Sequence, residues 1–531
     1  MTDRNRLGSL SDLPDDDDEY DYSSPDAVYE SDNDGALDAD SDADSAEDND
    51  FVHHENADVT AFANVPGDMA GIVPGFSRTL DDDVPEIDDA SDDVLTPGET
   101  QRLLLMDVAH LWHPYTQHMA APLPVPIARA EGAFLYDLTG RPILDAISSW
   151  WVTTHGHSNP AIADAIAQQA RTLDHVIFSG FTHAPAAELA SELVTRLPRG
   201  LTRIFFSDNG STAVEVAIKM SMQSYVNAGK PRRLIAALEN AYHGDTFGAM
   251  AAGARSIFSA PFDPLLFEVA RLPDPTEGDT VAALEKLIAA RGKELAAVIV
   301  EPLLLGAGGM RVYDEYVLQE IREITREADV HLIADEVLTG FGRTGPLFAC
   351  ERADIAPDIM CLSKGLTGGF MALGATAATE AIYDAFLSTD RKQTFFHGHS
   401  YTANPIACAA ALAALQLYND ESEDARVRIE VAQANHLETF RKHPGVKNTR
   451  QIGTVAVIEL NAAAGYLSEI GRELAAFALE QGVLLRPLGN VAYCLPPYCI
   501  TDRELDRVYV VIRNFLDGAR ATGLAPEQLH G

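Results

Sequence analysis

Two stretches decide how this chain is read: Val330-His331-Leu332-Ile333-Ala334-Asp335-Glu336 and Asp358-Ile359-Met360-Cys361-Leu362-Ser363-Lys364-Gly365. Each is a short apolar run that closes on a charged residue. Runs of this length, bounded by turn residues, predict strands buried on both faces of a parallel sheet. Open α/β sheets gather their chemistry at the carboxyl ends of such strands. Asp335 and Lys364 are therefore expected to face one crevice.

Outward from this pair, Arg203–Ser207, Leu234–Leu238 and Ala296–Glu301 read as further strands. Ser211–Tyr225 reads as a helix with Val214, Ala217, Ile218 and Tyr225 on one face, and Pro405–Leu417 as an alanine-rich helix. Strands alternating with helices predict an α/β fold whose mostly parallel sheet is covered on both sides. That large domain is expected over residues 148–420. The rhythm changes over 421–531, with short strands near Gly453–Glu459 and Val483–Arg486 between helices. Pairing of these with Ala128–Asp145 predicts a smaller α+β domain built from both chain ends, 101–147 and 421–531.

The net charge of −41 is unevenly spread. Residues 1–100 carry 31 acidic and three basic side chains. A segment so charged and so poor in apolar groups cannot bury enough surface to offset its chain entropy, which predicts a disordered acidic tail over 1–100. Its less polar patch, Val59–Leu80, reads as spacer or as a docking motif for an unknown partner. The tail lacks the basic start and apolar run of a signal peptide and the arginine-rich character of a transit peptide. No uninterrupted apolar run reaches membrane-spanning length. Five cysteines without C-x-x-C spacing fit reduced thiols, and cytoplasmic location is the expectation. Nothing basic and aromatic-interleaved points to nucleic acid. His397, His399, His113, His118, His155 and His157 are too scattered to form a metal site.

Lys364 is one of eight lysines. An ammonium at the end of a buried strand is costly unless its charge is removed or paired. Imine formation with an aldehyde removes it, and a desolvated lysine is suited to nucleophile and base roles. Asp335 precedes the glycine-rich Thr339-Gly340-Phe341-Gly342-Arg343-Thr344-Gly345. A carboxylate and an imine-forming lysine are what pyridoxal 5′-phosphate (PLP) requires: a Schiff-base amine and an acidic partner for its ring nitrogen. Glu336 would point to the opposite face and reads as structural. Between Arg203–Ser207 and the next helix, Asn209-Gly210-Ser211-Thr212 would present free N–H groups and the positive dipole end to a phosphate, though such a turn also serves as an ordinary cap. Tyr242 in Tyr242-His243-Gly244-Asp245 offers a ring to cover a cofactor face or simply to pack in a turn. Trp150-Trp151 lines a pocket or packs a core. Arg486 would clamp a carboxylate or form a structural ion pair.

With these residues assembled, Leu105 to Ala519 resembles the class III aminotransferases of the fold-type I PLP enzymes. Asp335-Glu336 with its TGFGRTG tail and Ser363-Lys364-Gly365 are class-wide. Trp112-His113-Pro114-Tyr115-Thr116, Ser148-Ser149-Trp150-Trp151, Thr182-His183-Ala184-Pro185, Tyr242 through Met250, Arg486-Pro487 and Tyr493 through Tyr498 point to the branch that supplies biotin biosynthesis. The resemblance implies Lys364 as Schiff-base lysine and proton shuttle, and Asp335 as ring-nitrogen partner. It implies Gly210 and Ser211 at the phosphate and Tyr242 stacked on the ring. Tyr115, Trp150, Tyr242, Lys364, Gly398, Arg486 and Tyr493 would line the substrate site. It further implies a homodimer with shared active sites, in which Gly398, His399 and Ser400 reach the partner's cofactor. S-adenosylmethionine would be the amino donor and 8-amino-7-oxononanoate the acceptor. Another class III ω-aminotransferase with different substrates, or a catalytically silent PLP fold, stands as the alternative. The chain departs from the family in His397-Gly398-His399-Ser400, where the family usually reads His-Gly-Pro-Thr, and in Leu305, where it tends to carry glutamine.

Overall fold

The computed structural model describes residues 97–521. The predicted acidic tail therefore lies outside the described residues except at its end. There a helix, Pro97–His110, starts ahead of the expected boundary at residue 100. Its opening Pro97-Gly98-Glu99 suits a helix start, since proline fits the first helical position and an acidic side chain the positive end.

Seven strands build the central sheet: β1 (Leu201–Ser207), β2 (Leu234–Leu238), β3 (Val269–Leu272), β4 (Leu295–Val300), β5 (His331–Asp335), β6 (Ile359–Leu362) and β7 (Gly374–Thr379). They lie in the order β1-β7-β6-β5-β4-β2-β3. β7 runs antiparallel to both neighbours, and every other pair is parallel. Register in the middle is tight: Ile333 faces Ile299 on β4 and Ile359 on β6.

The pleat sorts the apolar residues into two cores. Ile235, Ala237, Ile299 and Ile333 pack with Ala213, Val214, Ala217 and Ile218 of the helix Gly210–Asn227. Leu234, Ala236, Val298, Leu332 and Ala334 join the larger core on the other face. Side chains alternate along a strand, so neighbouring residues in these runs serve opposite layers. The same alternation carries past the end of β5. Asp335 shares the parity of Ile333, whereas Glu336 shares that of Ala334.

Glu336 is fully buried on its side. It accepts hydrogen bonds from Thr339 Oγ1 at 2.5 Å, Ala349 N–H at 3.1 Å and Cys350 N–H at 2.8 Å, so it caps the short helix Ala349–Arg352. The structural role read for it in the sequence matches these bonds.

Besides the large sheet and a two-stranded hairpin, a four-stranded and a three-stranded sheet form among the described residues. Ile127–Glu131, Phe134–Asp137 and Pro142–Asp145 form a meander, and Val483–Leu484 adds to it in parallel with Pro142–Asp145. Segments from before and after the central sheet thus meet there. The other expected strand does not join them. Val455–Leu460 pairs instead with Val446–Ile452 and Val491–Cys494 in a separate antiparallel sheet. A two-residue turn at Gly453-Thr454 favours local hairpin pairing with the preceding strand over a long-range partner. All five cysteines are free, with Cys499 the exposed one. Among the described residues no helix is long and apolar enough to cross a membrane, and no cluster of metal-ligating side chains occurs.

Removing the Glu336 carboxylate would leave two buried N–H groups and a hydroxyl without acceptors. Glu336→Ala is expected to lower unfolding free energy by about 3 kcal/mol. Urea denaturation of the cofactor-loaded protein measures this; a loss under ~1 kcal/mol would show that the cap contributes little.

Candidate active site

The carboxyl ends of β1, β2, β4, β5 and β6 open on one cavity of about 770 Å³. Ser211, Tyr242, Glu301, Asp335, Lys364 and Arg486 are among the side chains that line it. At its floor, Asp335 Oδ2 lies 2.7 Å from His243 Nδ1, and both groups are buried. A carboxylate oxygen accepts in such a contact, with the imidazole donating through Nδ1. Asp335 Oδ1 accepts the Val337 N–H at 3.1 Å. His243 Nε2 has no partner.

Lys364 follows β6 after Ser363. Its backbone sits in the left-handed region, φ +47°, a conformation that costs free energy and recurs at functional sites. Ser363 holds the turn by donating its hydroxyl to Leu373 O at 2.8 Å. The amine lies 4.7 Å from the centroid of the Trp151 ring. Burial pulls its pKa down to about 8, against the opposing pull of Asp335 and Glu301. Near neutral pH this lysine is close to giving up its proton.

The helix Gly210–Asn227 points its N-terminus at the same cavity. Asn209 caps it: its side chain accepts the Thr212 N–H at 3.0 Å, and Thr212 Oγ1 accepts the Asn209 N–H at 3.1 Å. The first-turn N–H groups of Gly210 and Ser211 have no acceptor within a helix. The turn carrying Tyr242 passes so close that a Cβ on Gly244 would sit 2.1 Å from Ser211 Oγ, which requires glycine there (φ +131°). Ser211 Oγ accepts the Asp245 N–H at 3.2 Å.

At the mouth, Tyr115 donates its hydroxyl to Asp245 and lies 3.4 Å from the Tyr242 hydroxyl. Burial, then the Asp245 contact, pushes the Tyr115 pKa to about 12, and burial raises that of Tyr242 further. The Arg486 guanidinium stacks on Trp150 at 4.2 Å. Trp151 Nε1 donates to the Tyr493 hydroxyl at 2.9 Å. The structure therefore brings together Gly210, Ser211, Tyr242, Asp335, Lys364, Tyr115, Trp150, Arg486 and Tyr493. Gly398, His399 and Ser400 are not among the lining residues. They belong to the loop before the helix Pro405–Gln416, where the His399 N–H donates to Thr402 Oγ1 at 3.0 Å and neighbouring His397 meets Lys219 Nζ at 2.8 Å.

Residues 115–516 match the model of the family described as aminotransferase class-III. The chain belongs to the class-III aminotransferases. It is 52% identical over 420 residues to an adenosylmethionine-8-amino-7-oxononanoate aminotransferase of Synechococcus elongatus, covering 77% of this chain and 98% of that protein. An enzyme of the same name from Geobacter sulfurreducens is 40% identical, covering 77% of this chain and 96% of its own length. The crystal structure of the Methanocaldococcus jannaschii protein of that name superposes with a TM-score of 0.74 at 36% identity, covering 78% of this chain and 99% of that one. An ω-transaminase from Pseudomonas jessenii, solved in complex with PMP, superposes with a TM-score of 0.74 at 28% identity, over 79% of this chain and 99% of that one.

Class-III aminotransferases are fold-type I enzymes that use PLP, and the cavity of this aminotransferase fits that group. A carboxylate with spare lone pairs, an amine of lowered pKa and a helix N-terminus surround one space within the size range of cofactor sites. His243 bears on that fit because it locks the orientation of the Asp335 carboxylate.

Several lining residues had no role assigned from sequence. His243 and Asp245 stood inside a quoted motif, but only their contacts give them one. Glu301 closes the apolar run of β4 as Asp335 closes that of β5, so the same signal was available. It is buried and accepts the Tyr242 N–H and the Gly306 N–H, each at 2.9 Å. Phe258 and Tyr466 sit in irregular segments with no pattern to expose them. Leu305, where the family tends to carry glutamine, is wholly buried in a small hairpin.

Burial raises the Glu301 pKa from its ordinary 4.5 to about 7, with Asp335 adding to the rise and His243 opposing it. The folded protein then keeps a proton that the unfolded chain loses between pH 4.5 and 7, so stability from this group falls across that window and levels above it. Glu301→Gln removes the titration. The stability difference, wild type minus variant, is expected to drop by about 3 kcal/mol between those limits in urea titrations of the loaded protein. A difference that does not change with pH would contradict this reading.

Proposed function

We propose that this aminotransferase moves an amino group from S-adenosylmethionine to 8-amino-7-oxononanoate, giving 7,8-diaminononanoate for biotin synthesis. The observation that carries the proposal is 52% identity to an enzyme of that name across 98% of its length. The cavity supports it with an acid, an amine and a cation in one space.

When bound, PLP supplies the electron-withdrawing ring that makes the donor's α-proton acidic. The chain's own groups would do the rest. Lys364 would hold the cofactor covalently and then move a proton between the donor α-carbon and the cofactor carbon, a task for which a pKa near the working pH is effective. Asp335, steadied by His243, would keep the ring nitrogen protonated. Gly210 and Ser211 would hold the phosphate, and Tyr242 would cover the ring. Arg486, laid on Trp150, would take the acceptor's carboxylate with two parallel hydrogen bonds. Tyr115 and Tyr493 would shape the rest of the substrate space.

In the same reading the enzyme is a cytoplasmic homodimer. Gly398, His399 and Ser400 would complete the partner's site, with Ser400 adding a phosphate contact. Their absence from the lining of this chain's own cavity supports that assignment. The segments 101–147 and 421–531 would act as the smaller domain over the large one.

The loaded protein should lose its cofactor absorption on mixing with S-adenosylmethionine and regain it with 8-amino-7-oxononanoate. Lys364→Ala should lower the rate of both conversions by about 10²–10⁴-fold or more. Bleaching by other amines but not by S-adenosylmethionine would overturn the donor. Failure of 8-amino-7-oxononanoate to restore the absorption would overturn the acceptor.

A further inference from the structure

Trp150 and Trp151 are neighbours in the chain but serve different parts of the cavity. Trp150 lies against the Arg486 guanidinium at the mouth. Trp151 turns its ring to the Lys364 amine and donates to the Tyr493 hydroxyl. The backbone that carries them is unusual. Ser148 (φ +53°), Ser149 (φ +57°) and Trp151 (φ +67°) all sit in the left-handed region, and none of them is glycine. Such residues are uncommon there, and each costs free energy. Three within four positions persist only where their surroundings hold them.

What holds this turn is a buried acid. Asp145 closes the strand Pro142–Asp145 and is wholly buried. Its Oδ1 accepts the Ile147 N–H at 3.1 Å, and its Oδ2 accepts the Ser149 N–H at 2.6 Å. The same Oδ2 lies 2.8 Å from His157 Nε2. Among the described residues that histidine is its one ion-pair contact. His157 is fixed in turn, since its backbone exchanges hydrogen bonds with Gly132 at 2.7 and 3.2 Å. Ser148 adds a second tie by donating its hydroxyl to Leu495 O at 2.8 Å. A buried polar group short of partners is costly, so the acid and its three donors fix one another. Asp145 is not among the residues that line the cavity, so its influence on the chemistry runs through the turn.

We propose that Asp145, steadied by His157, is a positioning residue for amino transfer, clamping Ser148–Trp151 in the strained turn that sets Trp150 against Arg486 and Trp151 against Lys364. This rests on the roles given above to Arg486 and Lys364 and deepens them. One clamp then governs the cation at the mouth and the amine at the floor together. Reacting groups held to within about 0.5 Å need supports of this kind behind them. Asp145→Asn loses part of the clamp, because an amide has one oxygen where three donors converge on two. The turn then relaxes toward ordinary backbone, and both rings move.

The chain has three tryptophans, so a Trp112→Phe background leaves both remaining ones on this turn. In the PLP-loaded full chain of that background, Asp145→Asn should shift tryptophan emission to the red and increase its quenching by acrylamide, as Trp151 leaves its buried place. The limiting rate at which an amine converts the cofactor is measured alongside, per bound PLP. Asp145→Asn should lower it about tenfold or more, the scale of a small misplacement of reacting groups. With Trp151→Leu already in place, the same substitution should cost less than about twofold, because the ring it positions is gone. Where Asp145→Asn does not fold, His157→Ala and His157→Gln carry the test. Alanine should give the same emission shift and a slower rate, and glutamine, which keeps an N–H donor, should recover part of both. Unchanged emission, or a normal rate per bound PLP in a chain that has only lost stability, would overturn the proposal. An equal loss with and without Trp151 would overturn the route through that ring. Failure of the role given to Lys364 would show separately, as conversion of the cofactor at full rate by Lys364→Ala.

Discussion

The 2.7 Å contact between His243 and Asp335 is the constraint on which the site depends. A carboxylate at the end of a parallel sheet, out of reach of bulk water, must be hydrogen-bonded or lose its charge. Here an imidazole and one backbone N–H hold it and fix its direction into the cavity. The pleat of β5 then separates two adjacent acids. Asp335 is turned toward chemistry and Glu336 toward the cap of a short helix. Exchanging those roles would take a one-residue slip of register, which the pairing of Ile333 with both Ile299 and Ile359 prevents.

Lys364 works against the same background. Its strand delivers it in a left-handed turn beside Trp151, and desolvation outweighs the attraction of Asp335 and Glu301. The sheet thus supplies a rigid floor on which an acid and a weakly basic amine face each other without forming an ion pair. Rigid elements hold catalytic geometry better than loops do. The mouth is assembled differently. Tyr115, Trp150, Arg486 and Tyr493 come from segments far apart in sequence and are tied together by ring packing and by the Trp151–Tyr493 hydrogen bond. Floor and mouth therefore separate the shared chemistry from the choice of substrate.

Much of the floor was legible in the sequence because its signals are local. An apolar run closed by Asp335 or by Lys364 states both burial and position, and Leu234–Leu238 was read with the bounds the structure gives it. β7 was not read. Its sequence, Gly374 to Thr379, is small and weakly apolar, and it becomes a strand only through pairing with β1 and β6. The partner of Val455–Leu460 was misplaced for a related reason, since pairing is a tertiary choice that local composition does not encode. Phe258 and Tyr466 are ordinary aromatics until the fold sets them 4.7 Å apart. Glu301 was the readable residue left without a role.

The central claim is that the Lys364 amine carries the cofactor opposite the His243-supported Asp335. Borohydride reduction of the PLP-loaded protein, followed by peptide mapping, tests it directly. The account predicts one pyridoxyl group, on the peptide that contains Ser363-Lys364-Gly365. Reduction that leaves position 364 unlabelled, or labels another of the lysines in its place, would contradict it.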